Sequence, residues 1–162
     1  MIKKIFLGIL VFLIGIGIAY YSESFFRSLI QDIFRWSTSD KIKFAGKNFY
    51  LFSNKLYSLT FGIGFLIVTL ENLNQKLTQI LKNGIVSILV FGILLVGISA
   101  TDATIKVVEC TGCEDGIRKL HWNEINYGLI IGLSAIISII PSLIRIIKRR
   151  KSKRTMRYTQ TQ

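Results

Sequence analysis

Histidine and proline each occur once in this chain of 162 residues, cysteine occurs twice, and nine acidic residues face 21 basic ones. Each shortage removes a class of chemistry. The one histidine, His121, sits beside Trp122 with no nucleophile at a readable spacing, so hydrolase chemistry has no footing. Zinc asks for four ligands; Cys110, Cys113 and His121 supply three, with Glu114 or Asp115 a strained fourth. No metal and no cofactor is therefore expected. Walker and dinucleotide motifs are missing, and Gly62-x-Gly64 lies inside an apolar run, where it reads as packing. Ionisable residues are absent from the middle of the apolar runs, where transporters and proton relays place them. A coupled transporter is disfavoured.

What the chain does have is hydrophobicity in blocks. Half of the residues are apolar, mean hydropathy is positive, and the blocks are too long for a soluble domain. The stretch from Tyr127 to Ile147 has no charge before Arg145. It runs straight into Lys148, Arg149, Arg150, Lys151, Lys153, Arg154 and Arg157. Some twenty apolar residues cross a bilayer as a helix, and the basic cluster that follows resists translocation. Three further runs join it. Ile5 to Tyr21 follows a short basic start and reads as a retained first span, because Ile18-Ala19-Tyr20-Tyr21 is a poor cleavage site. Leu56 to Leu70 is short and diluted by Ser58, Thr60 and Thr69; helical periodicity carries it on past Glu71. Ile85 to Ala100 follows an Asn83-Gly84 stop signal.

The expected fold is an all-α integral membrane protein, a four-transmembrane-helix bundle with an interfacial amphipathic helix and a small extracytoplasmic β-sheet. Residues 1–150 form one membrane domain with spans at about 5–21, 56–72, 85–100 and 127–147 and outside loops at 22–55 and 101–126. Residues 151–162 form a basic cytoplasmic tail. Glu23 to Trp36 carries apolar residues at helical spacing opposite charged ones, which fits a helix lying in the interface. Lys41 to Phe44 and Phe49 to Phe52, with turn residues between them, fit a hairpin; Thr104 to Glu109 is β-branched and fits a third strand.

Four spans put both ends on one side. That side holds twelve Lys and Arg against nine outside, so the count favours cytoplasmic termini in a plasma or inner membrane. Eight of the 21 basic residues lie at or after Arg145, which accounts for much of the +12 charge. Arg145, by snorkelling, and Lys148, Arg149, Arg150 and Lys151 are the expected contacts for anionic headgroups. Nucleic acid is not an expected partner, because no binding module is visible.

Two sets of residues stand out. Gly128-x-x-x-Gly132 and the stripe Ser134, Ser138, Ser142 mark close helix packing; Gly8, Gly15, Gly17, Gly92 and Gly97 are further notches. Pro141 should kink the last span. The Cys110-x-x-Cys113 pair faces the oxidising side in this topology. It reads first as a structural disulfide shaping a tight turn and second as a thiol–disulfide exchange pair. Four-span membrane thiol oxidases relay electrons through a second cysteine pair, which this chain lacks. The expected function is a non-enzymatic scaffold or accessory subunit, packing with itself or with a larger membrane protein. An oligomeric pore lined by the serine stripe, and an extracytoplasmic redox protein, are the alternatives.

Overall fold

The computed structural model describes residues 2–38, 42–46, 55–73, 75–108 and 118–159. Among them are four long helices, α1 (Ile2–Thr38), α2 (Lys55–Asn72), α3 (Leu77–Val108) and α4 (Tyr127–Thr159). Two short strands, β1 (Ile42–Ala45) and β2 (Arg118–His121), and a single 3-10 turn (Trp122–Glu124) complete the described chain. Three helical stretches, Ile5–Thr38, Leu77–Val108 and Trp122–Lys148, are long and apolar enough to cross a bilayer. They mark a membrane protein. Their surface agrees: Ile9, Leu13, Ile88, Ile93, Leu129 and Ile136 are all exposed, as side chains facing lipid are.

α2 misses that standard for a readable reason. Its uncharged run, Leu56 to Leu70, is bounded by Lys55 and Glu71 and extends only about 23 Å at helical rise. It is nevertheless well packed, between α1 and α4. Against α1 it runs antiparallel. A Cβ on Gly15 would lie 2.7 Å from the Phe61 carbonyl oxygen, and one on Gly62 would lie 2.6 Å from the Phe12 ring. Against α4 it runs parallel, with Gly132 close to Leu56 and Gly64 close to Ile139. α3 touches α1 and α4 and barely meets α2. The buried core runs through the bundle from Ala19, Ile30 and Phe34 to Tyr57, Leu95, Ile130 and Ile131.

Several expectations change here. Glu23 to Trp36 is no separate helix, because α1 continues unbroken to Thr38, about 55 Å in all. No Gly or Pro lies between Tyr21 and Trp36 to break it, and Ile30, Ile33 and Phe34 are buried. The pattern of residues 104–108 resembles a strand but is helical. Ala103 and Val107 pack into the core there, and packing outweighs the modest helix penalty of β-branched residues. α2 ends at Asn72, and Gly84 lies inside α3 instead of stopping a helix. α4 is helical through Pro141 and on through the basic tail to Thr159.

The hairpin partner Phe49 to Phe52 lies outside the described residues. Among the described residues β1 pairs with β2, in parallel, with Ile42 opposite Arg118 and Phe44 opposite Leu120. Parallel strands need a long crossover, and here α2 and α3 supply it. So the segment before α2 and the segment after α3 do join in one small sheet, with β2 as the partner where Thr104 to Glu109 was the expected third strand. Two strands are marginal alone. Ile42 and Leu120 are buried beneath them, and Phe44 stacks on Trp122 with centroids 4.3 Å apart and planes 5° apart.

Candidate functional site

The polar groups of the bundle gather at two levels. At the end that holds the α2–α3 turn, α2 finishes with Glu71 and Asn72 just as α3 begins. Glu71 is buried, with its side chain 1% exposed, and Arg145 of α4 reaches it. The Arg145 Nε donates to Glu71 Oε1 at 2.5 Å and Nη2 donates to Oε2 at 3.3 Å, a two-pronged geometry that suits a carboxylate. Asn83 Nδ2 donates to Glu71 Oε1 at 3.2 Å, and Gln79 Nε2 donates in turn to Asn83 Oδ1 at 3.1 Å. Arg145 Nη2 also reaches Ser142 Oγ at 3.3 Å. One carboxylate thus ties α2, α3 and α4 together.

This geometry explains how a charged residue ends a short apolar helix. A lone carboxylate out of water costs several kcal/mol, and pairing with further hydrogen bonds offsets that cost. Arg145 is about one-third exposed (34%), so its outer edge stays open while its inner edge is committed. Mechanically it joins three helices through one carboxylate.

At the opposite end, α1 supplies most of the contacts. Tyr57 donates its hydroxyl to the Ala19 carbonyl at 2.7 Å and lies 3.2 Å from Ser22 Oγ. The Phe26 ring meets Tyr57, Phe61 and Phe91 edge-on, with centroids 5.5 to 6.5 Å away. Gln31 Nε2 donates to the Tyr127 hydroxyl at 3.1 Å and links α1 to the start of α4. Farther out, the Arg35 guanidinium lies 5.0 Å from the centre of the Trp122 ring, within cation–π range. Phe44 of β1 joins this corner through its stack on Trp122.

No family model, curated protein or solved structure matches this chain. The site residues therefore stand on their own geometry.

Gly128, Gly132, Ser134, Ser138 and Ser142 all lie on the buried face of α4. Ser134 and Ser138 donate to carbonyls of their own helix, Ile130 at 2.7 Å and Ala135 at 2.8 Å. The stripe is covered within one chain. Gly132, like Gly15 and Gly62, has close neighbours, whereas Gly17, Gly92 and Gly97 have none within 4 Å. Lys148 is exposed, and Arg149, Arg150 and Lys151 continue the same helix. Cys110 and Cys113 lie outside the described residues. His121 is exposed and its backbone N–H donates to Glu124 Oε1 at 3.2 Å. Among the described residues, no three His, Cys, Asp or Glu side chains gather to hold a metal ion.

Sequence reasoning places Arg145 at the headgroups and leaves Glu71 without a role. Their pairing spans 74 positions, and no periodicity carries such a signal. One clue exists: each is the first ionisable residue at the same end of two runs that pack side by side.

Proposed function

We propose a non-enzymatic, four-span membrane protein that serves as a scaffold or accessory subunit, with both termini cytoplasmic. Three spans follow from length and hydropathy. Support for α2 as the fourth is its position. Residues 57–66 lie along 8–19 of α1, and residues 56–71 lie along 132–145 of α4. If α1 and α4 cross the bilayer over these lengths, α2 crosses beside them. Its one awkward charge is turned away from lipid onto Arg145, which lengthens the lipid-compatible surface beyond Leu70.

The observation that carries the scaffold reading is at the other end. α1 continues 17 residues past Tyr21, the end of its uniformly apolar run. Its inner face packs on the core, but Tyr21 is 85%, Phe25 61% and Trp36 77% exposed on the outer face. Val108, at the end of α3, is 76% exposed. Large apolar side chains in a patch outside the bundle mark a surface that another molecule covers. A larger membrane protein, or a second copy, fits that surface.

Photocrosslinkers placed at Phe25 and Trp36 in native membranes test this. A discrete protein adduct is expected at both positions. Crosslinking to lipid alone would remove the scaffold reading. Reporter fusions at the two ends test the topology separately, and both should report the cytoplasm.

A further inference from the structure

The guanidinium of Arg145 is only partly committed to the joint. Its Nε and Nη2 serve the Glu71 carboxylate and Ser142. Among the described residues nothing accepts a hydrogen bond from Nη1, and the side chain is 34% exposed. Arg145 is therefore not free to snorkel at large: one edge is held inward, and the other is presented outward at a fixed place. Lys148, which is exposed, follows it by one helical turn. Residues so spaced are neighbours on a helix, with Cβ atoms about 5–6 Å apart.

Charge at this end of the bundle is lopsided. Among the described residues Glu71 is its one carboxylate; Glu23, Asp32, Asp102 and Glu124 belong to the other end. Lys76, Lys82, Arg145 and Lys148 all stand at this end. Glu71 faces Arg145 with its side chain 1% exposed, so the charge of Lys148 is left over. An anion with a single negative charge balances Glu71, Arg145 and Lys148 taken together.

Depth and surface say which anion. Arg145 lies about 27 Å along α4 from Tyr127. A hydrocarbon core is about 30 Å thick, so the open guanidinium edge emerges at headgroup depth. Ile137, Pro141, Ile144 and Lys148 recur at helical spacing, share one face and are all exposed. That face is apolar up to its last member and then cationic. A phospholipid has its parts in the same order, acyl chain and then phosphate.

We propose that Arg145 and Lys148 bind the phosphodiester of an anionic phospholipid. Arg145 Nη1 and the Lys148 ammonium donate to the phosphate oxygens, in charge-assisted hydrogen bonds. One acyl chain lies along Ile137, Pro141 and Ile144. The site needs only α4 to cross the bilayer; that its leaflet is the cytoplasmic one rests on the proposed topology.

The test uses the full chain in nanodiscs of mixed phosphatidylcholine and phosphatidylglycerol, with bound lipid read by native mass spectrometry. The unmodified protein should retain phosphatidylglycerol above its share of the bilayer. Lys148→Gln should lower that excess about fivefold, as loss of one lysine near a charged surface implies. Lys76→Gln and Lys82→Gln should leave most of it. Glu71→Gln removes the carboxylate charge beside Arg145 and should raise it. No excess in the unmodified protein, or equal losses in the three lysine variants, would overturn the proposal in favour of diffuse attraction to a basic surface. So would a fall in Glu71→Gln with helical content unchanged; if that variant loses helix, Lys148→Gln decides alone. Displacement of the lipid by an equal concentration of soluble glycerophosphoglycerol would also overturn it, since the ligand would then be a free phosphodiester. A C-terminal reporter that faces the outside, with the Lys148 dependence intact, would keep the lipid site and remove the cytoplasmic assignment.

Discussion

Removing either partner of the Glu71–Arg145 pair should destabilise the bundle, and by unequal amounts. The Glu71 side chain is almost fully enclosed, whereas about a third of the Arg145 side chain reaches the surface. In Arg145→Leu, the carboxylate loses both guanidinium contacts, keeps the hydrogen bond from Asn83 and stays buried. Breaking a buried pair in this way costs about 3 to 5 kcal/mol. The value here should fall near the lower bound, about 3 kcal/mol, because the pair is not fully enclosed and water reaches one side of it. In Glu71→Leu the stranded group is the guanidinium, which has an exit. Its long stem lets it swing to the headgroups, so the cost should be nearer about 1 kcal/mol. The double replacement Glu71→Leu with Arg145→Leu leaves neither charge inside and should cost less than Arg145→Leu alone. Unfolding by SDS titration in mixed micelles, followed by circular dichroism, measures all three. Coupling between the two sites should exceed about 1 kcal/mol in the double-mutant cycle. The reasoning fails if the two single variants are equally unstable, or if their effects simply add.

The same melts check the packing of the glycines. Gly15→Ala should destabilise by about 1 to 3 kcal/mol, since the added methyl group meets the Phe61 carbonyl and the Gly62 backbone, neither of which yields easily. Gly97→Ala should be neutral or stabilising by about 0.5 to 1 kcal/mol, because nothing lies within 4 Å and alanine is the better helix former. Tyr127→Phe should cost about 1 kcal/mol by leaving the buried Gln31 amide without that acceptor, and Gln31→Leu in the same background should recover part of it. Trp122→Ala should loosen the outer corner, removing the Phe44 stack and the Arg35 contact together. Faster trypsin cleavage at Lys43 reads that loss, with the bundle melt little changed.

The legible parts of the fold were those written in local periodicity. Three of the four apolar runs are helices of spanning length, and their positions follow from composition alone. What failed was punctuation. Asn83-Gly84 looks like a stop, yet Asn83 is fully used where it stands: it donates to Glu71 and accepts from Gln79 inside α3. The real break falls between Asn72 and Leu77, where the sequence carries neither Gly nor Pro and so gives a weaker signal than Asn83-Gly84 does. Likewise Thr104 to Val108 has the residues of a strand, but the segment stays helical, with Ala103 and Val107 packed into the core. A sequence-local rule cannot know which neighbours a segment will pack against. The sheet illustrates the same limit. Ile42 to Ala45 was recognisable as a strand, whereas its partner lies 76 positions away, beyond two intervening helices.

Glu71 and Arg145 show why the polar joint was hidden. Taken singly, each is an ordinary residue at the end of an apolar run, and each has a plausible solitary fate at the water boundary. Only the parallel packing of α2 on α4 brings those two ends to the same depth. That packing is itself set by small side chains: Gly132 lets Leu56 and Thr60 approach, and Gly64 accommodates Ile139. The notches fix the register, the register aligns the charges, and the aligned charges let a run of only 15 uncharged residues sit among longer helices. A bulky residue at Gly64 should therefore shift α2 along α4 and separate the pair without touching either charge. Gly64→Leu is predicted to reduce the coupling between Glu71 and Arg145 toward zero in the same double-mutant cycle. Coupling preserved in that background would mean that the ion pair, and not the glycine contact, sets the register.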